Sequence, residues 1–315
     1  MMELTVLASG SQGNCSALVV PHAGDGDQPG RLVFIDAGLS PKATKERLYT
    51  AIRRMPDEAT DLLLTHLDAD HWRHTWQRTL DRHPIRVRVH RAHAREALRL
   101  GVPAANLCPF DDTCDLGDGL VVHACRTPHD DRGSTAYCIE QRCQRGVTRL
   151  GFATDLGRVL APLLEHFRDL DCLAIESNYD PVMEENSTRP ASLKDRIMGG
   201  KGHLSNDESI TAAMLIAATS TLQAIVLLHL SQQCNCPRVV AQLWNERAPH
   251  LCERVIVAEQ FRPTRTLRVE PRPRAARVVF CASLFDGAEG SHGSSASPSE
   301  LHWSTTGMTE RVPNA

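Results

Sequence analysis

Thr65-His66-Leu67-Asp68-Ala69-Asp70-His71 sets two imidazoles and two carboxylates within six residues, directly after the apolar run Leu62-Leu63-Leu64. Such crowding is unfavourable by itself, because the carboxylates repel one another and the imidazoles lose solvation. A divalent cation reverses both penalties. Residue type and spacing therefore point to a metal site with His66, Asp68, Asp70 and His71 as candidate ligands. The alternative is a polar loop in which Asp70 caps a helix beginning at Trp72.

Three further residues of the same kind stand where apolar segments stop. His129 follows a strand-like segment and Pro128, whose ring restricts the backbone. Asp155 closes the segment 148–153, and His229 closes 224–228. Asp36 likewise ends 31–35; a carboxylate at the end of a buried strand needs a partner, so Asp36 is expected to orient a ligand histidine or a loop. His74, His83, His90, His93 and His123 lack such neighbours and read as surface or core residues. His74 lies three residues from His71 and shares its face if that segment is helical.

These side chains need rigid elements behind them. Apolar runs predict strands at 4–8, 16–20, 31–35, 60–64, 85–89, 135–140, 148–153, 172–176, 224–228 and 255–257, with a turn into a strand at 116–122. Helical spacing covers 42–54, 72–82, 92–100, a stretch from Asp155 to about 167, 207–219, and a segment reaching about 244. Strands alternating with helices indicate an α/β protein. Ser9-Gly10-Ser11-Gln12-Gly13-Asn14-Cys15 reads as a tight turn between two strands whose N–H groups could face a site. Residues 21–30 form a polar loop, and 181–201 a charged, partly helical arm over the site.

A chain of 315 residues with 42% hydrophobic content can bury a substantial core. No apolar run approaches bilayer length and the first residues lack a leader pattern, so a soluble, cytoplasmic protein without a membrane partner is expected. Eleven cysteines, an odd number without a Cys-x-x-Cys pair, fit reduced thiols better than a disulfide framework. The net charge of −3 and a pI near 6.6 supply no global field for nucleic acid. A local patch exists in Arg262, Arg265, Arg268, Arg272, Arg274 and Arg277, opposed by Glu259 and Glu270. It reads as a solvated linker, with phosphate contact as the sharper alternative. Residues 271–285 form an Arg/Pro-rich extension, and the Gly/Ser/Thr/Pro-rich 286–315 are expected to be a disordered tail.

The 65–71 stretch resembles the His-x-His-x-Asp-His motif of the metallo-β-lactamase superfamily, with Asp68 in place of the second histidine. His129 resembles the third metal-binding motif, Asp155 the bridging aspartate and His229 the fifth motif; the resemblance covers about residues 3–270. It implies an αββα four-layer sandwich and two divalent metal ions. One ion would be held by His66, Asp68 and His129, the other by Asp70, His71 and His229, with Asp155 bridging, so that they share a hydroxide. A carboxylate at position 68 hardens the first site and moves preference from zinc toward manganese, iron or magnesium.

The superfamily divides by substrate, and the discriminating stretch is Gly202-His203-Leu204-Ser205-Asn206, which resembles the phosphodiesterase and nuclease branch. Together with Ser9–Cys15, Thr154-Asp155-Leu156-Gly157, Glu176-x-Asn178-Tyr179-Asp180 and His229-Leu230-Ser231, it is similar to the YycJ/WalJ-type exonuclease group. That likeness implies a DNA exonuclease in which Asp70 accepts a proton from water and His203 assists the leaving oxygen, with Ser205 and Asn206 near the substrate. Two alternatives stay open: a small-molecule phosphodiesterase, and a catalytically impaired nucleic-acid-binding relative disabled by Asp68.

Overall fold

The computed structural model describes residues 1–21 and 30–274, so most of the loop at 21–30 and the whole expected tail lie outside the described residues. Strands β1 (Met2–Ala8), β2 (Cys15–Val20), β3 (Arg31–Ile35), β4 (Ala59–Leu64), β5 (Arg86–His90) and β6 (Leu107–Phe110) build one sheet. Helices α1 (Pro41–Ile52), α2 (Gln77–Leu80) and α3 (Ala94–Arg99) connect them. Strands β7 (Thr113–Gly117), β8 (Leu120–Thr127), β9 (Ser134–Cys143), β10 (Gly146–Ala153), β11 (Cys172–Glu176), β12 (Ala224–Leu228) and β13 (Val255–Val257) build the second. Their helices are α4 (Ala161–His166), α5 (Pro181–Glu185), α6 (Ala191–Met198), α7 (Asn206–Ala217) and α8 (Pro237–Arg247). A last strand, β14 (Leu267–Val269), returns to pair antiparallel with β1.

Alternation along the strands sets the layers. In β4, Leu63 packs with Val33, Val122, Ile139 and Val226 between the sheets, while Leu62 faces outward with Phe34, Leu48 and Trp76 under the first helices. Leu173 and Ile175 of β11 pack outward against Ile210 and Trp244. The result is the expected αββα sandwich, and burial on both faces explains why its strands read as nearly continuous apolar runs. The hairpin strands pair antiparallel, and β3–β6 and β10–β13 pair parallel through helical crossovers. No helix among the described residues is long and apolar enough to cross a membrane.

Three local expectations are corrected. The helix expected at 72–82 is a 3₁₀ turn, His74–Trp76, followed by the short α2. Trp72 instead bridges to Ala37, which receives His71 and Arg73 as backbone partners. Asp70 therefore caps no helix there, and His74 shares no helical face with His71. The helix expected from Asp155 begins only at Ala161: Asp155 itself is left-handed, φ 52°, and Pro162, which has no N–H and clashes with a preceding helical turn, is accommodated only in a first turn. Strands β6, β7 and β14 had no counterpart among the predicted elements.

The arginine run is not a uniform solvated linker. Arg272 and Arg274 both donate to the buried carboxylate of Asp171, Arg274 Nη2 at 2.9 Å, and Arg272 pairs its backbone with Val147. This cluster sits at the N-terminal ends of β10 and β11. Residues 271–274 thus pack with the sandwich, beyond the boundary expected at 270. Removing them strips both guanidinium partners from a buried carboxylate that keeps only the Arg149 N–H, so truncation after Glu270 is expected to lower stability by about 3 kcal/mol, roughly ten degrees in Tm. Calorimetry checks this, and an unchanged Tm would make the segment a passenger.

Candidate metal centre

The chemistry-bearing residues converge where β3, β4, β8, β10, β11 and β12 end. Asp36, Asp155 and His229 lie just past β3, β10 and β12 with left-handed backbones, φ 62°, 52° and 55°. Each such residue costs about 1–3 kcal/mol and persists only when its surroundings determine it. Asp36 is determined fully: its carboxylate accepts from Thr65 N at 2.9 Å, Thr65 Oγ1 at 3.0 Å and His71 Nδ1 at 2.8 Å. His229 N donates to Ser9 Oγ at 2.7 Å. Gly38 lets the two loops meet, since a Cβ there would lie 1.7 Å from the Asp70 carbonyl oxygen.

Two donor sets that share Asp155 gather expected ligands: His66, His129 and Asp155, and Asp70, His71, Asp155 and His229. Asp155, Glu176, His203 and His229 form a further group, as do Asp68, His129 and Asp130, and within each the ligand atoms lie within 4.8 Å of one another. Asp155 Oδ2 lies 3.1 Å from His66 Nε2 and 2.7 Å from His71 Nε2, while Oδ1 touches His229 Nδ1. Asp70 Oδ2 is 3.3 Å from His229 Nε2. Asp68 stands at the solvent side, its side chain 54% exposed, with Oδ2 3.8 Å from His66 Nε2 and 3.9 Å from His129 Nε2. His129 Nδ1 donates to the Gly202 carbonyl at 2.8 Å, leaving Nε2 toward the cluster.

The residues present fit divalent cations. His66 Nε2 and both ring nitrogens of His229 are buried without a well-formed hydrogen bond despite the adjacent carboxylates. Burial resists protonation of His71, but Asp155, Asp36 and Asp70 outweigh it and push its proton affinity well up. Burial likewise resists ionisation of Asp70, and His71 and His229 hold its carboxyl down at about 2. Dense carboxylate and imidazole at one buried point is the charge pattern that a cation satisfies.

His203 lies outside the two sets of expected ligands and groups instead with Asp155, Glu176 and His229. Its Nδ1 donates to Glu176 Oε1 at 2.7 Å, and its ring stands 5.3 Å from that of His129 and 5.1 Å from that of His229. Burial disfavours the imidazolium, but Glu176 dominates and raises its proton affinity. Glu176 Oε2 also accepts from Leu156 N and Leu204 N, so one buried carboxylate ties the Asp155 loop to the His203 loop. Its stretch, Glu176-x-Asn178-Tyr179-Asp180, carried part of the resemblance, but the sequence assigned Glu176 itself no role. Asn14 was also unassigned: its Nδ2 lies 2.9 Å from His71 Nε2 and 3.3 Å from Asp70 Oδ2.

Ser205 and Asn206, expected near the substrate, are both engaged by the protein itself. Ser205 Oγ accepts from Glu208 N at 3.2 Å while Glu208 reaches back to Ser205 N at 2.8 Å, a capping box for α7. Asn206 is fully buried, its Oδ1 accepting from Ser177 Oγ at 2.7 Å and Asn235 Nδ2 at 2.9 Å. Cys234 and Cys236 enter no metal-capable cluster among the described residues.

A helix–sheet–sheet–helix sandwich with histidine and aspartate donors gathered at its strand ends defines a class of metal-dependent hydrolases. The sequence model of the metallo-beta-lactamase superfamily matches residues 10–174, and the chain belongs to that superfamily and is one of its hydrolases. It is similar to exodeoxyribonuclease YycJ of Bacillus anthracis, 28% identical over 238 residues, which span 74% of this chain and 84% of that one. Exodeoxyribonuclease WalJ of Streptococcus pneumoniae is 24% identical over 250 residues, 74% of this chain and 83% of the relative. Among solved structures, the metallo-beta-lactamase fold protein YhfI from Bacillus subtilis superposes with a TM-score of 0.59 at 13% identity, covering 84% of this chain and 98% of that chain, a likeness of fold.

Proposed function

We propose that the protein is a metal-dependent phosphodiesterase that degrades DNA from its ends in the cytoplasm. The observation that carries the reading is His203, held by Glu176 beside the shared Asp155. A histidine held at Nδ1 by a carboxylate next to the donor sets suits a leaving alkoxide, which departs from a phosphodiester only with a proton or compensating charge. The exodeoxyribonuclease relatives support the same substrate class. Thioester hydrolysis, whose thiolate leaves without a proton, gives this residue no comparable task.

In this reading His66, Asp68 and His129 hold one divalent cation, Asp70, His71 and His229 hold another, and Asp155 serves both. Bound cations supply a nucleophile at neutral pH and neutralise phosphoryl charge. Asp70 takes the proton of the attacking water, Asp36 fixes the His71 tautomer through Nδ1, and His203 gives its proton to the leaving oxygen. Asp68 sets the metal preference: Asp68→His is expected to raise zinc content at the expense of manganese, measured by elemental analysis after growth with both.

Linear, end-labelled duplex DNA should release labelled product in manganese, with loss on chelation, while a covalently closed circle of the same sequence stays intact. Equal attack on the circle would contradict an end-dependent enzyme. A cavity of about 580 Å³ beside His66, Asp68 and His129 favours a second reading, a phosphodiesterase of small molecules. Turnover indifferent to polymer length would select it.

A further inference from the structure

The arginine run divides by what its side chains meet. Arg268 pairs with Glu3, and Arg272 and Arg274 are engaged by Asp171, far from the donor sets. Arg262 and Arg265 are exposed and, among the described residues, pair with no carboxylate. Just before them Phe261 is 61% exposed, whereas the other described phenylalanines, Phe34, Phe110, Phe152 and Phe167, are buried. The exposed phenyl ring is followed by two guanidinium groups without carboxylate partners, the combination of ring face and positive charge that a nucleic-acid strand uses.

This segment is pinned to the metal centre. The buried side chain of Gln260 accepts from Gln12 N at 2.8 Å and donates to the Gly13 carbonyl at 2.9 Å. The next residue, Asn14, is the one that reaches His71 and Asp70. In parallel, Ser9 N donates to the Glu259 carbonyl at 3.1 Å, and Ser9 Oγ accepts from His229 N. Phe261 is therefore fixed relative to the Asp70/His71/His229 set by short hydrogen-bonded links on both sides. Arg73 joins this rim, donating to the Gln12 carbonyl at 3.1 Å and pairing with no carboxylate among the described residues.

The other flank differs in charge. The cavity beside His66 and His129 carries Asp68, Glu96, Asp130, Asp131 and Asp195, while two of its cations, Arg132 and Arg196, are already paired to Glu96 and Asp130. A polyanion is repelled there, Lys201 being the cavity's remaining cation, and attracted on the Phe261 side, where Glu259 is the carboxylate adjacent in sequence. We propose that Phe261, with Arg262 and Arg265, is a stacking platform for an unpaired polynucleotide strand lying across the Asp70 side of the centre. Ring faces are available for stacking only in unpaired bases, and every base has one, so the platform is sequence-tolerant while the arginines meet phosphates. This inference rests on the phosphodiesterase reading.

The test uses the metal-loaded full chain and a phosphorothioate-linked single-stranded oligonucleotide, with binding followed by fluorescence anisotropy and turnover by bis(p-nitrophenyl) phosphate hydrolysis. Phe261→Ala should weaken binding roughly ten-fold and Phe261→Tyr should restore it, with turnover of the small diester unchanged. Arg262→Ala or Arg265→Ala should each reduce the slope of log affinity against log salt by about 0.7. Full affinity in Phe261→Leu, or an effect confined to blunt duplex, would overturn stacking of an unpaired strand. Wild-type DNA cleavage with unchanged binding in Phe261→Ala would overturn the platform alone. A wild-type chain that neither binds nor cleaves DNA would overturn the phosphodiesterase reading with it.

Discussion

Asp155→Ala is expected to abolish measurable phosphodiester hydrolysis, a fall of roughly a thousand-fold or more, together with loss of bound metal. The scale follows from the several kcal/mol that a Lewis-acid cation supplies to a charged transition state. Asp155 is the sharpest choice because its two oxygens serve both donor sets, so its removal disturbs each at once. His66→Ala should have a similar effect on turnover through one set only. Both variants should retain the sandwich, because the sheets are built from apolar residues away from the cluster. Wild-type turnover by either purified variant would count against the assignment.

The second large effect is expected at His203. His203→Ala should lower turnover by about 10²–10⁴-fold while metal content stays at the wild-type level. Loss of metal would instead make it a ligand. Its partner supplies a pH signature. The Glu176 carboxylate holds the His203 proton to higher pH than the ordinary imidazole value of about 6.5, against the opposing effect of burial. An acid works only while protonated, so turnover should decline as pH rises through the folded-state value. Glu176→Gln removes the charge that raises it, and the alkaline limb should move toward lower pH. The same interaction contributes stability below about pH 6.5 and loses it as pH rises through the raised value. An unmoved alkaline limb in Glu176→Gln would mean that the titrating proton belongs to another group.

The metal-capable residues were legible because each follows an apolar run, and a polar residue where a buried strand stops is a local signal. His66, His129, Asp155 and His229 are placed by β4, β8, β10 and β12 in that way. Residues whose work depends on distant partners were harder to read. Glu176 joins two loops, and Asn14 reaches 57 positions along the chain to His71. Asp171 draws in Arg272 and Arg274 from about a hundred residues away. The helix expected at 72–82 gave way to a distant pairing, the bridge of Trp72 to Ala37, whereas the one expected from Asp155 failed on a local signal, Pro162, which only a first turn accommodates. Ser205-x-x-Glu208 is a local capping pattern, and it forms the capping box of α7.

The central claim is that the strand-end cluster holds two cations that act together on a phosphodiester. Its most direct test is elemental analysis of the purified chain beside a manganese-supplemented assay on end-labelled double-stranded DNA. The account predicts about two metal ions per chain and release of labelled nucleotides. A chain that remains metal-free after reconstitution and leaves the DNA intact would contradict it, and would mean that Asp68 has disabled the centre.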